Sequence, residues 1–372
     1  MPADASIYPP PTCDQTADVV IFGASVAGIA AATALISGGI PAQRIILLET
    51  GALDWASSGC SRGVMSPGFW HLYNRLCTSM GADAQRLFQF TAINALRMSE
   101  LGHFSPSTCL YLPATEFEEQ EMRESVAALP VDIEILTPKQ AAEQVGFEPP
   151  FAVGVDPLGG GFDPVKLTVD GLAHLAAMGV RIHCQIPVPR MHSPSDGTIQ
   201  IELAQTNSKQ ADVILRCECL INASESQAIA ASPSLATMVM EKPHRLTWLK
   251  SPQPVPSHAA IWNRDQCSWH KLDDSTVLLT ETRPFADFDA EQHPLFQHQS
   301  FSISQTTKIT SLASADGLPL IGPNPSRSDE LLCLGFQGWS SNFAAMAGFT
   351  AAELLLNGRS EYPDLFSPRR LL

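Results

Sequence analysis

The stretch VVIFGASVAGIAAATALISGGIPAQ, Val19 to Gln43, carries no charged side chain between Asp18 and Arg44. Its length satisfies a membrane span, which needs about 20 apolar residues, but its punctuation argues against one. Val19 to Phe22 form a β-branched and aromatic run, Gly23 to Gly28 supply a turn, and Ile29 to Ile36 form an Ala-rich helical run stopped by Gly38-Gly39 and Pro41. A second strand, RIILLE, follows at Arg44 and ends on Glu49, 21 residues after Gly28. That is the spacing of a βαβ unit that holds a dinucleotide.

The chemistry of such a unit accounts for the residue types. Gly23 allows a tight turn out of the strand and Gly28 lets the helix pack close to it, while the free N–H groups at the helix start face a pyrophosphate. Glu49 then accepts hydrogen bonds from ribose hydroxyls. Ser25 stands where a G-x-G-x-x-G pattern has its middle Gly, and its small hydroxyl can itself donate a hydrogen bond. A lone pattern of this kind also fits a plain helix-packing turn.

Composition narrows the class. A chain of 372 residues holds about two domains. The net charge of −15 disfavours nucleic acid and acidic membrane surfaces, both polyanions. Nine cysteines occur without a C-x-x-C pair, and no histidine pair has metal-ligand spacing, so no metal site and no disulfide framework is expected. Buried thiols in a reducing compartment point to the cytoplasm. The opening MPADASIYPPPTCDQ lacks the features of a secretion signal and reads as a disordered lead over residues 1–17.

Beyond Glu49, a Ser- and Gly-rich loop has the composition of a segment that wraps a ligand. Helical periodicity runs from Asn74 to Leu101, and ATEFEEQEMRESVAAL and TPKQAAEQVG predict two more helices. Asp163-Pro164 opens a helix that Gly179 ends, followed by a strand over Val180 to Ile186. ADVILRCECLINASES predicts one further strand. Between residues 240 and 310 short runs such as HRLTWLK and STVLLTETR alternate with turns, the pattern of an antiparallel sheet that interrupts the α/β domain. A strand LLCLGF, a Gly-rich loop and an Ala-rich helix close the chain.

In this order, VVIFGASVAG…RIILLE, SSGCSRGVMSP, GGGFDPVKLTVDGLAHLAAMGVRIH, LINAS and ADGLPLIGP…LLCLGFQGWSSNFA resemble the D-amino-acid oxidase, glycine oxidase and sarcosine oxidase family of flavoproteins, over roughly half the chain. The resemblance implies an α/β (α+β overall) fold: a Rossmann-like FAD-binding domain from residues 18–80, 155–235 and 308–372, and an antiparallel-sheet substrate domain from 81–154 and 236–307. It implies FAD, with Gly23, Ser25, Val26, Ala27, Gly28 and Glu49 on the pyrophosphate and adenosine. Ser57, Ser58, Cys60, Ser61, Arg62, Gly63, Val64 and Met65 run past the cofactor towards its ring. Val188, Ala223, Ser224 and Gly322 border it, and Gly338, Trp339, Ser340, Ser341 and Asn342 present N–H groups to the flavin's pyrimidine end. Cys60 and Cys333 each have two readings, a covalent flavin link or a buried thiol.

The implied activity is hydride transfer from the carbon of a C–N bond of an amine or amino acid to the flavin, with hydrolysis of the imine and reoxidation by oxygen or another acceptor. Lys250 and Trp339 are the candidate catalytic residues, the first through its charge in oxygen reduction, against the alternative of a solvated lysine. One departure stands out. Such oxidases often place a carboxylate-clamping Arg five residues before the Asp-Gly of the C-terminal motif, and counting back from Asp316 gives Ser311. Lys308 points to the opposite face of a strand, and Arg245, Arg264 and Arg283 remain as substitutes. Trp248, Trp262, Trp269 and Trp339 suit a bulkier or less charged amine, or simply a core; His258 and His270 fall in the same sheet. Two other readings compete: a tRNA-modifying flavin enzyme, against which the acidic balance counts, and a flavin-binding protein without turnover.

Overall fold

A computed structural model of the chain describes residues 7–51, 61–102, 104, 106–193, 197–204, 212–255, 258–263, 266–282 and 300–372. Ser57, Ser58, Cys60, Arg264 and Arg283 lie outside them. The chain divides into two compact units, one of residues 1–60, 164–242 and 311–372, the other of residues 61–163 and 243–310.

The first unit is built on a six-stranded sheet in the order Leu320–Asn324, Arg327–Leu334, Cys219–Asn222, Val19–Phe22, Ile45–Leu48, Arg181–His183. All pairs are parallel except the outermost, Leu320–Asn324 with Arg327–Leu334. Val19–Phe22 and Ile45–Leu48 are buried at every position, as strands covered on both faces must be. The helix Val26–Ser37 packs on the long helix Ser340–Asn357 near the C-terminus. Small residues make that close approach feasible: a Cβ on Gly348 would lie 2.2 Å from the Ala27 carbonyl oxygen. A four-stranded sheet, Gln15–Thr16, Val213–Cys217, Ile199–Leu203, Arg190–His192, shares a core with the first, Ile201 and Leu215 joining Val20, Phe22 and Leu48.

Two expectations are corrected in this unit. The lead over residues 1–17 is built into the fold from Ile7 onward: Tyr8 O accepts from Cys184 N, and Gln15–Thr16 pairs with Leu215–Arg216. The predicted strand ADVILRCECLINASES is two strands in different sheets. Val213–Cys217 alternates buried and half-buried residues, as an antiparallel strand with one covered face does, whereas Cys219–Asn222 is buried throughout and parallel. Glu218 and Cys219 both donate their N–H to Asp18 O at the turn between them.

The second unit carries an eight-stranded sheet in the order Ser302–Ser314, Val239–Lys250, Thr276–Glu281, Cys267–Asp273, Ala259–Trp262, Cys109–Leu112, Val153–Asp156, Glu134–Leu136. Ala259–Trp262 and Cys109–Leu112 pair in parallel, so the sheet is mixed where antiparallel pairing alone was expected. Its last three strands lie between and after the predicted helices, where the sequence gives no strand signal because they are too short for a clear two-residue period. The helical period from Asn74 to Leu101 resolves into Tyr73–Met80 and Asp83–Glu100, broken at Gly81, whose φ of +59° is left-handed. Thr115 and Thr137 cap the helices Glu116–Ala128 and Pro138–Val145, the latter through a capping box with Gln140. One face of the sheet, including Leu110, Leu249, Trp269 and Leu279, builds the core.

The helix contact generates a prediction. Gly348→Val forces the two helices apart and lowers unfolding free energy by about 2–4 kcal/mol, measured by chemical denaturation.

Candidate functional site

The carboxyl ends of the parallel strands in the first unit bring four loops to one edge of the sheet. Val19–Phe22 runs into Gly23, Ile45–Leu48 into Glu49, Cys219–Asn222 into Ala223-Ser224, and Arg327–Leu334 into the loop Gly335–Trp339. Ligands of open α/β sheets bind at this edge.

Gly23 has a φ of +117°, and a Cβ there would lie 2.3 Å from Ala223 O and 2.7 Å from Ser224 Cα. At Gly28 it would lie 2.1 Å from Gly23 O. Both glycines are therefore sterically required. Ser25 caps the helix Val26–Ser37, its Oγ accepting from Gly28 N at 3.3 Å and donating to Ala223 O at 3.0 Å. In the fold its hydroxyl proton goes to Ala223 O. Among the described residues, the N–H groups of Val26 and Ala27 in the first turn face no internal acceptor, which leaves them for an anion.

Glu49 is buried, with Ala24 N donating to Oε2 at 2.9 Å and Gly51 N donating to Oε1 at 2.9 Å. Burial raises its carboxyl above the ordinary range, and these donors pull it back. The carboxylate thus touches the loop that starts the helix. Ile186 N donates to Glu49 O, bringing the segment that carries Val188 alongside; Val188 itself is 39% exposed. Ala223 N donates to Phe22 O, and Ser224 is held through both N and Oγ by Asn222 Oδ1.

Gly335, Gln337 and Gly338 all have positive φ, at +81°, +55° and +84°. This bends the chain into the C-terminal helix, whose first residues are Ser340, Ser341 and Asn342 and whose N-cap is the buried Trp339. Gln337 N donates to Leu312 O, Trp339 N to Phe336 O and Asn342 N to Trp339 O. Among the described residues no acceptor lies against the N–H of Gly338 or Ser340. Gly322 lies inside the strand Leu320–Asn324 opposite Leu332, and its φ of +136°, which residues with a Cβ rarely adopt, accounts for the glycine. Cys333 is buried, donates to Ala347 O and has its thiol pushed up to about 12 by burial, which favours the inert thiol over a flavin link.

In the second unit, Ser61, Arg62, Gly63, Val64 and Met65 are buried, and Val64–Met65 pairs with Gly160–Gly161. A Cβ on Gly63 would lie 2.4 Å from His270 Cε1, and one on Gly161 2.6 Å from His270 Cβ, so two glycines close over the imidazole. His270 shares a sheet face with Ser268 and Thr280, since Ser268 pairs with Thr280 and His270 with Leu278. All three are buried, and neither the hydroxyls nor the ring nitrogens reach a hydrogen bond of normal geometry among the described residues. Desolvation lowers His270 to about 4, although the Phe162 main chain counteracts it.

The aromatic wall divides. Trp262 and Trp269 sit on the core face, whereas Trp248 pairs with Leu278 and shares the face of His270. Lys250 is corrected: it lies half exposed at the strand end, donating to Thr276 Oγ1 with Asp273 Oδ2 at 3.8 Å, the solvated alternative. Arg245 forms a two-pronged pair with Glu281, both contacts at 2.7 Å, and is not spare for a substrate carboxylate. Ser311 is buried with Oγ near Lys242 O, and Lys308 is exposed. Among the described residues no His, Cys, Asp and Glu cluster suits a metal, and no helix is long and apolar enough to cross a membrane.

Comparison with known proteins identifies the family of the chain. The model of the DAO family, FAD dependent oxidoreductase, matches residues 18–354. No curated protein matches. Solved structures of similar fold include an L-amino acid deaminase from Proteus vulgaris lacking its specific insertion sequence, 16% identical, with a TM-score of 0.76 and coverage of 97% of this chain and 95% of that one. Glycine oxidase from Geobacillus kaustophilus is 16% identical with a TM-score of 0.74, covering 95% and 98%. Iminodiacetate oxidase from Chelativorans sp. BNC1 is 15% identical with a TM-score of 0.70, covering 94% and 98%.

Two outcomes follow from the geometry. Ser25→Ala removes the helix cap and costs about 1 kcal/mol of stability, read by denaturation of the cofactor-free protein. For His270, the folded state refuses a proton that the unfolded chain takes up at about 6.5, so its contribution is complete above that pH and is lost as pH falls toward about 4. Asp156, raised to about 6 by burial, acts in the opposite sense, so the useful comparison is with His270→Gln. Between pH 6.5 and 4 the wild type loses up to about 3 kcal/mol relative to that variant.

Proposed function

Because the chain belongs to the DAO family of FAD-dependent oxidoreductases, we propose that it oxidises the C–N bond of an amine that carries little charge and no free carboxylate, and passes the electrons to oxygen or another acceptor. The observation that carries this reading is the convergence of Gly23, Glu49, Ala223 and the Gly335–Trp339 loop at the carboxyl edge of one parallel sheet.

The residues present fit FAD. The positions at Gly23 and Gly28 admit no Cβ, Val26 and Ala27 offer main-chain N–H groups to a pyrophosphate, and Glu49 sits beside them for ribose hydroxyls. Gly338 and Ser340 offer two further N–H groups at the start of the C-terminal helix, whose positive end favours negative charge. When bound, FAD supplies the two-electron acceptor for hydride from the carbon that bears the nitrogen.

On the substrate side, the chain has Ser at position 311, and Arg245 is already paired with Glu281. Strong two-pronged recognition of a free carboxylate is therefore missing from both positions. The face carrying Trp248, Ser268, His270 and Thr280 offers an aromatic surface and neutral hydrogen-bonding groups, which suit a less charged amine.

Anaerobic addition of a panel of amines and amino acids to the FAD-loaded protein tests this reading. The oxidised flavin bands are expected to bleach with an amine that lacks a carboxylate and to resist simple α-amino acids. Bands unchanged by every amine in the panel would overturn the proposal.

A further inference from the structure

Glu225 follows directly on the Ala223-Ser224 turn and is left-handed, with a φ of +47°, a conformation that costs a non-glycine residue about 1–2 kcal/mol. Its side chain is buried, with 6% exposure. The carboxylate spends itself entirely on main chain. Oε1 accepts from Leu312 N at 3.0 Å and Phe336 N at 3.2 Å, and Oε2 accepts from Gly335 N at 2.9 Å. No salt bridge to a cation joins it among the described residues. Burial pushes its carboxyl up to about 7, with the three N–H groups opposing.

A turn alone does not call for a buried acid, since glycine adopts this φ without strain and without desolvation. The acid's contacts explain its presence. Gly335 and Phe336 begin the loop whose later N–H groups go to Leu312 O from Gln337 and to Phe336 O from Trp339. With these donors consumed, the loop is held so that Gly338 and Ser340 keep theirs. Two residues earlier in the same segment, Ala223 O closes on Gly23 and accepts from Ser25 Oγ.

We propose that Glu225 is a positioning residue that ties the Gly23 phosphate loop to the Gly335–Ser340 loop and presets the N–H groups of Gly338 and Ser340 for the flavin before FAD arrives. The inference rests on the FAD reading above and deepens it. Glu225→Gln is nearly the same shape, but its amide nitrogen must face at least one of the three N–H donors, so the clasp opens on one side.

Hydrogen exchange of the wild-type protein, resolved to single amides, is the first test. Leu312, Gly335 and Phe336 are expected to be protected already without FAD, while Gly338 and Ser340 gain protection only on FAD binding. In Glu225→Gln, the first three amides exchange faster, FAD binds at least about tenfold more weakly, and the reduction potential of the bound flavin becomes more negative as its donors loosen. Fast exchange at Gly335 and Phe336 in cofactor-free wild type overturns the proposal even if no variant folds. So does a folded Glu225→Gln with unaltered FAD affinity, visible spectrum and potential, which would leave Glu225 a purely structural clasp. Failure of the wild type to bind FAD at all would instead overturn the cofactor reading.

Discussion

The first unit depends on a main-chain contact that no side chain can replace. Gly23 leaves its strand against Ala223, so close that a Cβ would lie 2.3 Å from the Ala223 carbonyl oxygen. Adjacent parallel strands are about 4.8 Å apart, and the two loops that leave them can touch only where one residue has no Cβ. Gly28 extends the same economy, drawing the helix onto the turn, and Gly348 lets a second helix settle on the first. That edge of the sheet is thus formed by backbone, with Ser25 as the bolt: its hydroxyl joins the helix start to the neighbouring turn.

In this unit, several buried acids are held by N–H groups instead of by cations. Glu49 accepts from Ala24 and Gly51, Glu225 from Leu312, Gly335 and Phe336, and Glu330 from the side-chain amides of Asn222 and Asn324 at 2.8 and 2.7 Å. A carboxylate with several donors satisfies more orphan main-chain groups than any neutral side chain can. It also anchors segments that belong to no regular element. The cost of burial is visible in the raised carboxyls of Glu49 and Glu225.

The second unit uses the two faces of one sheet differently. Trp269 and Leu279 point into an apolar core, while Ser268, His270 and Thr280, each one residue away, carry polar atoms on the other side. Two glycines, Gly63 and Gly161, close on His270 and keep it neutral by excluding water. The period of two along a strand makes this division automatic once the register is set.

The strand, turn and helix from Val19 to Ser37 and the second strand ending at Glu49 were legible because they rest on local rules: β-branched runs, glycine at forced turns and fixed spacing. The six-residue pattern could equally be read that Ser25 meets a phosphate, and only the fold shows its hydroxyl spent on Ala223, 198 residues away. Glu225 was invisible for the same reason, since its three donors come from positions 87 to 111 residues distant and nothing in the S-E-S run around it marks a left-handed residue. The charge at Lys250 suggested chemistry, but strand register placed it at an exposed end beside Asp273. What sequence by itself determined is therefore the nucleotide unit, whose signals lie within about 30 residues of one another. Tertiary structure alone decided which polar groups remain available to a ligand, because that depends on hydrogen bonds between segments that meet only when the sheet closes.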